Sequence, residues 1–471
     1  MNVAQVCADL IQINTENPPG RTDEAVEYVA EILEGLGYRP RISKSPGGHW
    51  NVCAGPHDCA LLFCGHLDVV PAGDVGWTHD PFSGVIEDGF VWGRGSTDMK
   101  GGCAAILVAL EWMADTYDKQ SLSDDLSIGA AFVCDEETGR VDGVQHLLRI
   151  NEFAPCDCLI AEPTPYLNPA IGQKGLCRFE ATFRGQPGHG SLYPFAGVNA
   201  IVKAAGFIDR LIAMTEKEYL PDTVVKELVT NSEQAIAEIF PDTDVSRLLT
   251  RITCNPGKIW GGEGANIVAE ECTVAMDMRL PWGCTPEAVL AAARQDSAKP
   301  DICPMSIAPP TCTPPDSVLV RRLCTAIESA YGLTADGMAV DGLTANRITA
   351  DRMAVDGLPA DGITADRMAV DGMTANRITA DRMAVDGITE DGITADGQQN
   401  GRLTSQQTGQ KVRPILQWAA SDARFLRAAG FRAAEYGPGE IHLLHAQDER
   451  VRVDQLEKAV RVYEALIASY R

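Results

Sequence analysis

The chain has 471 residues, 45% of them hydrophobic, so it can bury a large core and is expected to hold two domains. Its formal net charge of −25 argues against nucleic acid and anionic membranes as partners. No segment reaches the roughly 20 apolar residues of a membrane span, and residues 1–20 lack the features of a signal peptide. The fifteen cysteines are scattered through apolar runs without a CxxC pair, which is typical of reduced thiols, so we expect a cytoplasmic protein.

The first 165 residues show alternating helix and strand patterns. The predicted elements are amphipathic helices at residues 3–13 and 23–36, two or three strands within 38–63, a helix at 101–110, and strands at 126–134 and 158–161. Strands separated by helices are what a mostly parallel sheet requires. This part therefore predicts the main α/β domain.

A second α/β pattern begins near residue 174. Its predicted elements are a half-buried strand at 176–184, an amphipathic helix at 198–214, a strand at 272–279 and a helix at 286–294. Their β-α-β-α order, placed between parts of the first domain, predicts a separate small domain.

The C-terminal part returns to the pattern of the first domain. Its predicted elements are a helix at 317–331, a short strand at 413–418, a helix beginning in 421–429 and a closing helix at 453–470. The main domain is therefore predicted to be discontinuous.

Residues 333–397 form a low-complexity repeat. They divide without a gap into thirteen pentapeptides, and the sequence MAVDG recurs every fifteen residues from Met338. One interpretation is a small β-solenoid whose Ile, Leu and Met side chains point inward. The other is a flexible acidic loop. The sequence leaves both open.

Polar side chains follow several predicted strands at the points where the strands end. The runs concerned are His66-Leu67-Asp68, Asp135-Glu136-Glu137 and Glu162, together with Asp98 at a glycine-rich turn before a helix. Because the carboxyl ends of parallel strands meet at one edge of an α/β sheet, these groups are expected to converge. One histidine and several carboxylates at one edge predict a metal-centred active site.

The candidate metal ligands are imidazoles and carboxylates without thiolates: His66, Asp98, Glu137, Glu162 and His445. Such a set suits Zn²⁺, Co²⁺ or Mn²⁺. If two metals bind, one carboxylate must bridge them. Asp68 is placed to orient the imidazole of His66, and Glu136 could stay unligated and act as a general base.

These residues lie in motifs that resemble a known family. The motifs are GHLDVVP, GRGSTDMKGG, DEETG, AEPT, GQPGHGS, GGEGANIVAEECTVAMDMR and SDARFL. In this order they resemble the acetylornithine deacetylase, succinyl-diaminopimelate desuccinylase and aminoacylase family of zinc amidohydrolases, over the whole chain outside roughly 333–410. One departure is that Ala419 and Ala420 precede Ser421, where the family commonly has two glycines.

The resemblance implies a zinc-peptidase-like αβα catalytic domain with an inserted smaller α/β lid domain that also forms a dimer interface. The implied boundaries are 1–174, 298–332 and 411–471 for the catalytic domain, 175–297 for the lid and 333–410 for the repeat insert. A homodimer without nucleic-acid or membrane partners is expected.

The resemblance also implies roles for the candidate ligands. His66, Asp98 and Glu162 would bind one metal, and Asp98 would bridge to a second metal that Glu137 and His445 also bind. The two ions would be Zn²⁺, with Co²⁺ or Mn²⁺ possible. Glu136 would be the general base.

Five further residues are implied to meet the substrate. His189 would reach the oxyanion from the partner subunit, and Asn266 and Arg279 would bind the carboxylate side of the substrate. Ser421 and Arg424 belong to a substrate-facing segment. His189 and Arg279 could instead be plain surface residues.

The other site residues have structural interpretations as well. Glu136 and Glu137 could complement the N-terminal dipole of a helix. Asp68 could be a turn residue. His445 could be a structural histidine, and His442 is its competitor as a ligand.

The expected function is hydrolysis of an N-acyl amide bond of an amino acid by metal-activated water. A succinyl-diaminopimelate desuccinylase or acetylornithine deacetylase type, with a place in amino-acid biosynthesis, is the favoured interpretation. An aminopeptidase or carboxypeptidase acting on small peptides is the alternative. A non-catalytic binding protein that acts through its repeat is a third, and the complete ligand set argues against it.

Overall fold

The computed structural model describes residues 1–470 except 74–75, 118–126, 140, 166, 220–221, 238 and 334–410. Residues 1–330 and 412–471 belong to one compact unit. The repeat lies almost entirely outside the described residues, so both interpretations of it stay predictions.

Three sheets are present in the described part of the chain. Its strands, numbered in chain order, are β1 (Arg41–Lys44), β2 (Trp50–Ala54), β3 (Leu61–His66), β4 (Ile86–Glu87), β5 (Phe90–Trp92), β6 (Ile128–Val133), β7 (Asp157–Ile160), β8 (Ala170–Gln173), β9 (Gly175–Arg184), β10 (Thr253–Gly261), β11 (Glu271–Leu280), β12 (Asp301–Ala308), β13 (Thr311–Cys312), β14 (Ile415–Gln417), β15 (Arg432–Glu435) and β16 (Arg450–Arg452). Its α-helices are α1 (Val3–Gln12), α2 (Asp23–Gly35), α3 (Lys100–Thr116), α4 (Val144–Arg149), α5 (Ala200–Ala213), α6 (Thr223–Ala237), α7 (Val245–Thr250), α8 (Pro286–Arg294), α9 (Val318–Tyr331), α10 (Ala423–Ala428) and α11 (Val453–Ala468).

The largest sheet is mixed, with a parallel centre. Its described strands follow the order β1-β2-β6-β3-β7-β15-β8-β13, and β14 also pairs with β8. The four neighbours β6, β3, β7 and β15 run parallel. Every residue of β3, β6 and β7 is buried, as expected for parallel strands covered on both faces. The carboxyl ends of these three strands therefore lie side by side.

Helices cover both faces of this sheet. Successive side chains of a strand point to opposite faces. On one face the ring of Phe63 lies 5.4 Å from that of Tyr463 on α11. On the other face Leu62 lines a small apolar cavity with Leu147 of α4 and Leu426 of α10. The predicted αβα arrangement is confirmed.

Helix α3 packs unusually close to the end of the sheet. A Cβ atom added at Gly102 would lie 2.2 Å from the carbonyl oxygen of Ala161, which directly follows β7. Only glycine permits this approach. Gly102 thus lets the start of α3, and the preceding turn with Asp98, lie close to the carboxyl end of β7.

The second sheet is antiparallel, with the order β10-β11-β9-β12 in the described residues. Helices α5 and α8 pack against it, and the rings of Phe183 and Phe207 meet at 5.2 Å. Asn199 begins α5 because its side chain accepts hydrogen bonds from the amides of Ile201 and Val202. The predicted lid ends at residue 297, whereas β12 pairs with β9, so the sheet continues past that boundary.

A third, short sheet pairs β5 with β4 and β16. All fifteen cysteines are unpaired thiols, and most are buried. Among the described helices, none combines the length and apolar character needed to cross a bilayer.

Candidate metal centre

Three neighbouring parallel strands supply most of the candidate ligands. His66 is the last residue of β3, Glu162 lies just beyond β7, and Glu136 and Glu137 lie just beyond β6. Because β6, β3 and β7 are adjacent and parallel, these side chains meet at one edge of the sheet. The convergence predicted from the strand ends is confirmed for this group.

Two loops complete the centre. Asp98 lies in the turn before α3, and His445 follows a short 3₁₀ turn, Ile441–Leu443, between β15 and β16. The backbone of His445 is left-handed, with φ of 60°. The loop of His445 thereby brings its imidazole toward Asp98 from the open side.

The five predicted ligands fall into two groups that share Asp98. In the first, Nε2 of His66 lies 3.0 Å from Oδ1 of Asp98 and 3.6 Å from Oε1 of Glu162. In the second, Nε2 of His445 lies 3.2 Å from Oδ2 of Asp98 and 3.2 Å from Oε2 of Glu137. Each group offers ligand atoms within 4.8 Å of one another. Asp98 therefore presents one oxygen to each group, as a bridging carboxylate does.

The buried carboxylates of the centre need positive charge nearby. Burial raises the pKa of Glu162 well above its ordinary value and that of Glu137 to about 7. Burial acts to lower the pKa of His66, but the hydrogen bond with Asp98 and the charge of Glu162 outweigh it and raise that pKa. Hydrogen bonds to Asp98 and Glu137 raise the pKa of His445 to about 10. Without other cations, protons must compensate the carboxylates.

The donor set fits divalent metals. Oε1 of Glu137 is buried and has no hydrogen-bond partner among the described residues. A buried, unpaired carboxylate oxygen is costly, and a metal ion would remove that cost. Two imidazoles and three carboxylates without a thiolate suit Zn²⁺, Co²⁺ or Mn²⁺.

Asp68 organises the centre in two ways. Its carbonyl oxygen lies 2.9 Å from Nδ1 of His66. Because a carbonyl can only accept, Nδ1 carries the proton and Nε2 is left free to bind a metal. The Asp68 carboxylate accepts hydrogen bonds from the amides of Glu136 and Glu137, each at 3.2 Å, and from the side chain of Asn17 at 2.9 Å. Asp68 thus contacts His66 as predicted, but its carboxylate mainly supports the Glu136 turn.

Glu136 lies at this centre without pairing with either histidine in the described structure. Burial raises its pKa well above the ordinary value, and the charge of Asp422 raises it further. A carboxyl group of raised pKa can accept a proton and return it.

The structure places the predicted substrate residues in two locations. His189 is exposed, with Nδ1 2.8 Å from the hydroxyl of Ser191, and the carbonyl of Asn266 accepts the amide of Gly190 at 2.7 Å. Arg279, on β11, donates to both oxygens of Asp277. Within the described part of the chain, neither hydrogen bonds nor ion pairs join His189, Asn266 or Arg279 to the five ligands.

Ser421 and Arg424 lie in a buried polar network. The hydroxyl of Ser421 donates to Gln173 at 3.1 Å and also contacts Glu435. The guanidinium of Arg424 donates to the carbonyl of Ser421 at 2.8 Å. Its Nε is buried without a hydrogen-bond partner among the described residues. The hydroxyl of Ser421 is thus already engaged, whereas Arg424 keeps an unused donor.

Three residues of this region were not singled out from the sequence. Glu435 ends β15, which runs parallel to β7, so it obeys the same strand-end rule as the predicted ligands. Gln173 ends β8, which pairs antiparallel with β15, so that rule does not locate it. Asp422 is buried, and burial raises its pKa to about 6. Its place next to Ser421 in the SDARFL motif was the available signal.

Comparison with known proteins gives matches consistent with this geometry. The family model described as Peptidase family M20/M25/M40 matches residues 62–361 and 398–469. The chain is 32% identical over 229 residues to a succinyl-diaminopimelate desuccinylase of Methylobacterium radiotolerans, covering 44% of this chain and 55% of that protein. It is 40% identical over 216 residues to the enzyme of the same name from Cereibacter sphaeroides strain ATCC 17029, covering 43% and 54%. It thus spans about half the length of these relatives.

Solved structures with the same fold cover nearly the whole chain. An M20 family metallo-carboxypeptidase from Sulfolobus solfataricus aligns with a TM-score of 0.68 at 18% identity, covering 100% of this chain and 99% of that one. A tripeptidase from Staphylococcus aureus aligns with a TM-score of 0.60 at 17% identity, covering 100% and 98%. A dinuclear metal binding peptidase of the M20 family from Bacillus subtilis aligns at 0.55 with 11% identity, covering 99% and 97%. At these identities the likeness shows the fold.

Proposed function

Since the chain belongs to peptidase family M20/M25/M40 and is a metal-dependent hydrolase, we propose that it cleaves the N-acyl amide bond of an amino acid. The observation that carries the proposal is the shared position of Asp98, whose two carboxylate oxygens face two separate groups of ligand atoms. A centre that binds two ions about 3.5–4 Å apart is suited to hydrolysis, because both the attacking water and the carbonyl oxygen need stabilisation.

The chain's own residues provide ligands and proton transfer. His66, Asp98 and Glu162 would bind one divalent ion, and Asp98, Glu137 and His445 the other. When bound, the ions supply Lewis acidity at the scissile carbonyl and at the attacking water. Glu136 takes a proton from that water and returns it to the leaving amine, which its raised pKa suits. Asp68 fixes the turn that holds Glu136 in place.

The substrate side of the proposal rests on cationic and polar groups near the centre. The buried guanidinium of Arg424 keeps an unused Nε donor among the described residues, and a substrate carboxylate would accept from it. Arg279, Asn266 and Ser421 remain further candidates, although Asp277 and Glu435 already engage Arg279 and Ser421. The names of the relatives favour a succinylated diamino acid, and a role in amino-acid biosynthesis goes with that substrate class.

A second copy of the chain completes the proposed site. Strand β10 is an edge of the second, four-stranded sheet, and its residues from Asn255 onward are exposed. Its apolar side chains Ile259 and Trp260 are 54% and 47% exposed. An edge strand with unpaired amides and exposed apolar side chains favours pairing with another chain. A homodimer through this sheet would allow His189 of one chain to reach the centre of its partner.

A substrate panel tests the proposed activity. The protein is loaded with Zn²⁺ or Co²⁺ and given N-acetyl, N-succinyl and N-formyl amino acids alongside dipeptides and tripeptides. We expect release of the free amino acid from an N-acyl substrate, with Glu136→Gln as the inactive control. Cleavage of peptides alone would favour the aminopeptidase or carboxypeptidase alternative. A metal-loaded protein that cleaves none of these amides would contradict the proposal.

A further inference from the structure

One fully buried carboxylate next to the centre has no part in the mechanism above. Glu449 has 0% exposure and lies four positions after His445, directly before β16. A charged side chain is rarely buried to this extent unless its oxygens are fully paired.

Among the described residues, the hydrogen-bond partners of the Glu449 side chain all belong to the turn that carries Asp98. Its Oε1 accepts three main-chain hydrogen bonds, from the amides of Gly95 at 3.1 Å, Thr97 at 2.9 Å and Asp98 at 3.0 Å. Its Oε2 accepts a hydrogen bond from Nη1 of Arg94 at 2.6 Å. These amides point inward at one oxygen, so removal of that oxygen would leave three buried donors unsatisfied.

Three more hydrogen bonds join the same two segments. The amide of Gly93 donates to the carbonyl of Glu449 at 2.9 Å, and the hydroxyl of Thr97 donates to the carbonyl of Arg450 at 2.9 Å. Nη2 of Arg94 lies 3.4 Å from the carbonyl oxygen of His445. The loop of His445 and the turn of Asp98 are therefore fixed to each other, with Glu449 at the centre of the junction.

We propose that Glu449 is a positioning residue that sets the metal affinity of the group formed by Asp98, Glu137 and His445. Asp98 and Glu449 lie 351 residues apart in the chain, and His445 lies on the same loop as Glu449. No local structure therefore holds Asp98 and His445 together. The side chain of Glu449 accepts a hydrogen bond from the backbone amide of Asp98 and so fixes that backbone. Glu449 itself lies on the loop that carries His445. This inference rests on the proposed two-metal centre.

The group of His66, Asp98 and Glu162 depends on Glu449 less. His66 and Glu162 are held by the adjacent parallel strands β3 and β7, and only Asp98 is shared. Loss of Glu449 should therefore weaken one metal equivalent more than the other. A purely structural role would lower the stability of the fold without this selectivity.

The test compares Glu449→Gln with a matched control. Each metal-free protein is titrated with Co²⁺ in a calorimeter, and the absorption bands of the bound Co²⁺ are recorded in a parallel titration. The control is Asp157→Asn. Asp157 is also a buried carboxylate paired with an arginine, Arg432, but lies at the opposite end of β7 from Glu162. We expect Glu449→Gln to weaken one of two Co²⁺ equivalents by roughly 10- to 100-fold and to change its absorption bands. Asp157→Asn should lose stability but bind both equivalents as the wild type does.

Arg94→Gln is the second variant, in case Glu449→Gln does not fold. It removes the charge partner of Glu449 and the contact of Nη2 with the carbonyl oxygen of His445, but it keeps the carboxylate that accepts the three main-chain amides. We expect a smaller loss at the same metal equivalent. Wild-type affinity for both equivalents in whichever of the two variants folds would overturn the inference. Equal weakening of both equivalents would also overturn it. If the wild-type chain bound fewer than two equivalents, the two-metal centre itself would be contradicted, and this inference with it.

Discussion

Glu136 and Glu137 are neighbours in the chain but meet different partners in the structure. Oε2 of Glu137 lies 3.2 Å from Nε2 of His445, so it faces the same space as a second ligand. Glu136 forms no ion pair with His66 or His445 among the described residues. The turn whose amides donate hydrogen bonds to Asp68 thus gives the two carboxylates different partners, which supports the proposed roles of Glu137 as a ligand and Glu136 as a base.

Glu136→Gln should abolish most turnover while leaving the metals in place. The side-chain amide of the substituted glutamine cannot take a proton from water, so we expect kcat to fall by a factor of roughly 10²–10⁴. Glu137→Gln is the matched control and should lose one metal equivalent, because it removes a ligand. Metal analysis of both variants, beside their rates, checks this. If Glu136→Gln lost a metal while Glu137→Gln kept both, the two roles would be reversed.

At the level of helices and strands, the regular apolar patterns were predictable. Helices α1, α2, α5, α8 and α11 and strands β3, β6, β7, β9 and β11 lie where the sequence predicts them, because each has a clear helical or strand periodicity. Strands β10 and β12 were missed. Each contains a proline, Pro256 or Pro304, and a register shift beside it. Proline argues against a central strand, but both are edge strands, where it is tolerated.

The centre was predictable to the extent that its residues follow recognisable strands. His66, Glu137 and Glu162 follow strands with a recognisable apolar run, so the strand-end rule locates them. Gln173 and Glu435 end four-residue strands that include a glycine or an arginine and two alanines, so neither strand forms an apolar run that could be recognised. The partners of Glu449 are main-chain amides of a distant loop. Backbone hydrogen bonds between distant loops form only in the folded structure, so no sequence pattern predicts them.

Subunit complementation tests the proposed role of His189. His189 is exposed, and the amide of the next residue, Gly190, donates to the carbonyl of Asn266. If it acts in the partner's centre, inactive His189→Ala and inactive Glu136→Gln chains should together form a dimer with one complete site. Mixed after subunit exchange, they should regain a substantial fraction of the wild-type rate, and each variant incubated alone provides the control. Proven exchange without recovered activity would remove the assignment across the dimer.

On the scale of the whole molecule, the predicted ligands and the repeat belong to different parts of the chain. All five ligands, Glu136 and Glu449 lie in residues 1–330 and 412–471, which form one compact unit. The family model leaves residues 362–397, within the repeat, unmatched. The sequence pattern alone identified this segment, because a perfect pentapeptide period is visible without any structure.

Replacement of residues 333–397 by a short Gly/Ser linker should leave the protein folded and able to bind metal. The free energy of closing a loop grows only logarithmically with its length, so a shorter connection costs little stability. We expect most of kcat to remain, whereas KM would rise if the repeat covers the substrate. Thermal unfolding and metal titration of the variant, with the full chain as control, check this. An insoluble variant, or one that cannot bind metal, would show that the repeat is part of the core.

The proposed hydrolysis requires a centre that binds two ions through a shared Asp98. Elemental analysis of the purified, metal-loaded chain, combined with activity before and after chelation, measures this. We predict two divalent ions per chain, loss of hydrolysis on removal of the ions, and recovery when Zn²⁺ or Co²⁺ is returned. Asp98→Asn should lower the content of both sites, because each group uses one of its oxygens. A chain with no bound metal and with activity unchanged by chelation would contradict the account.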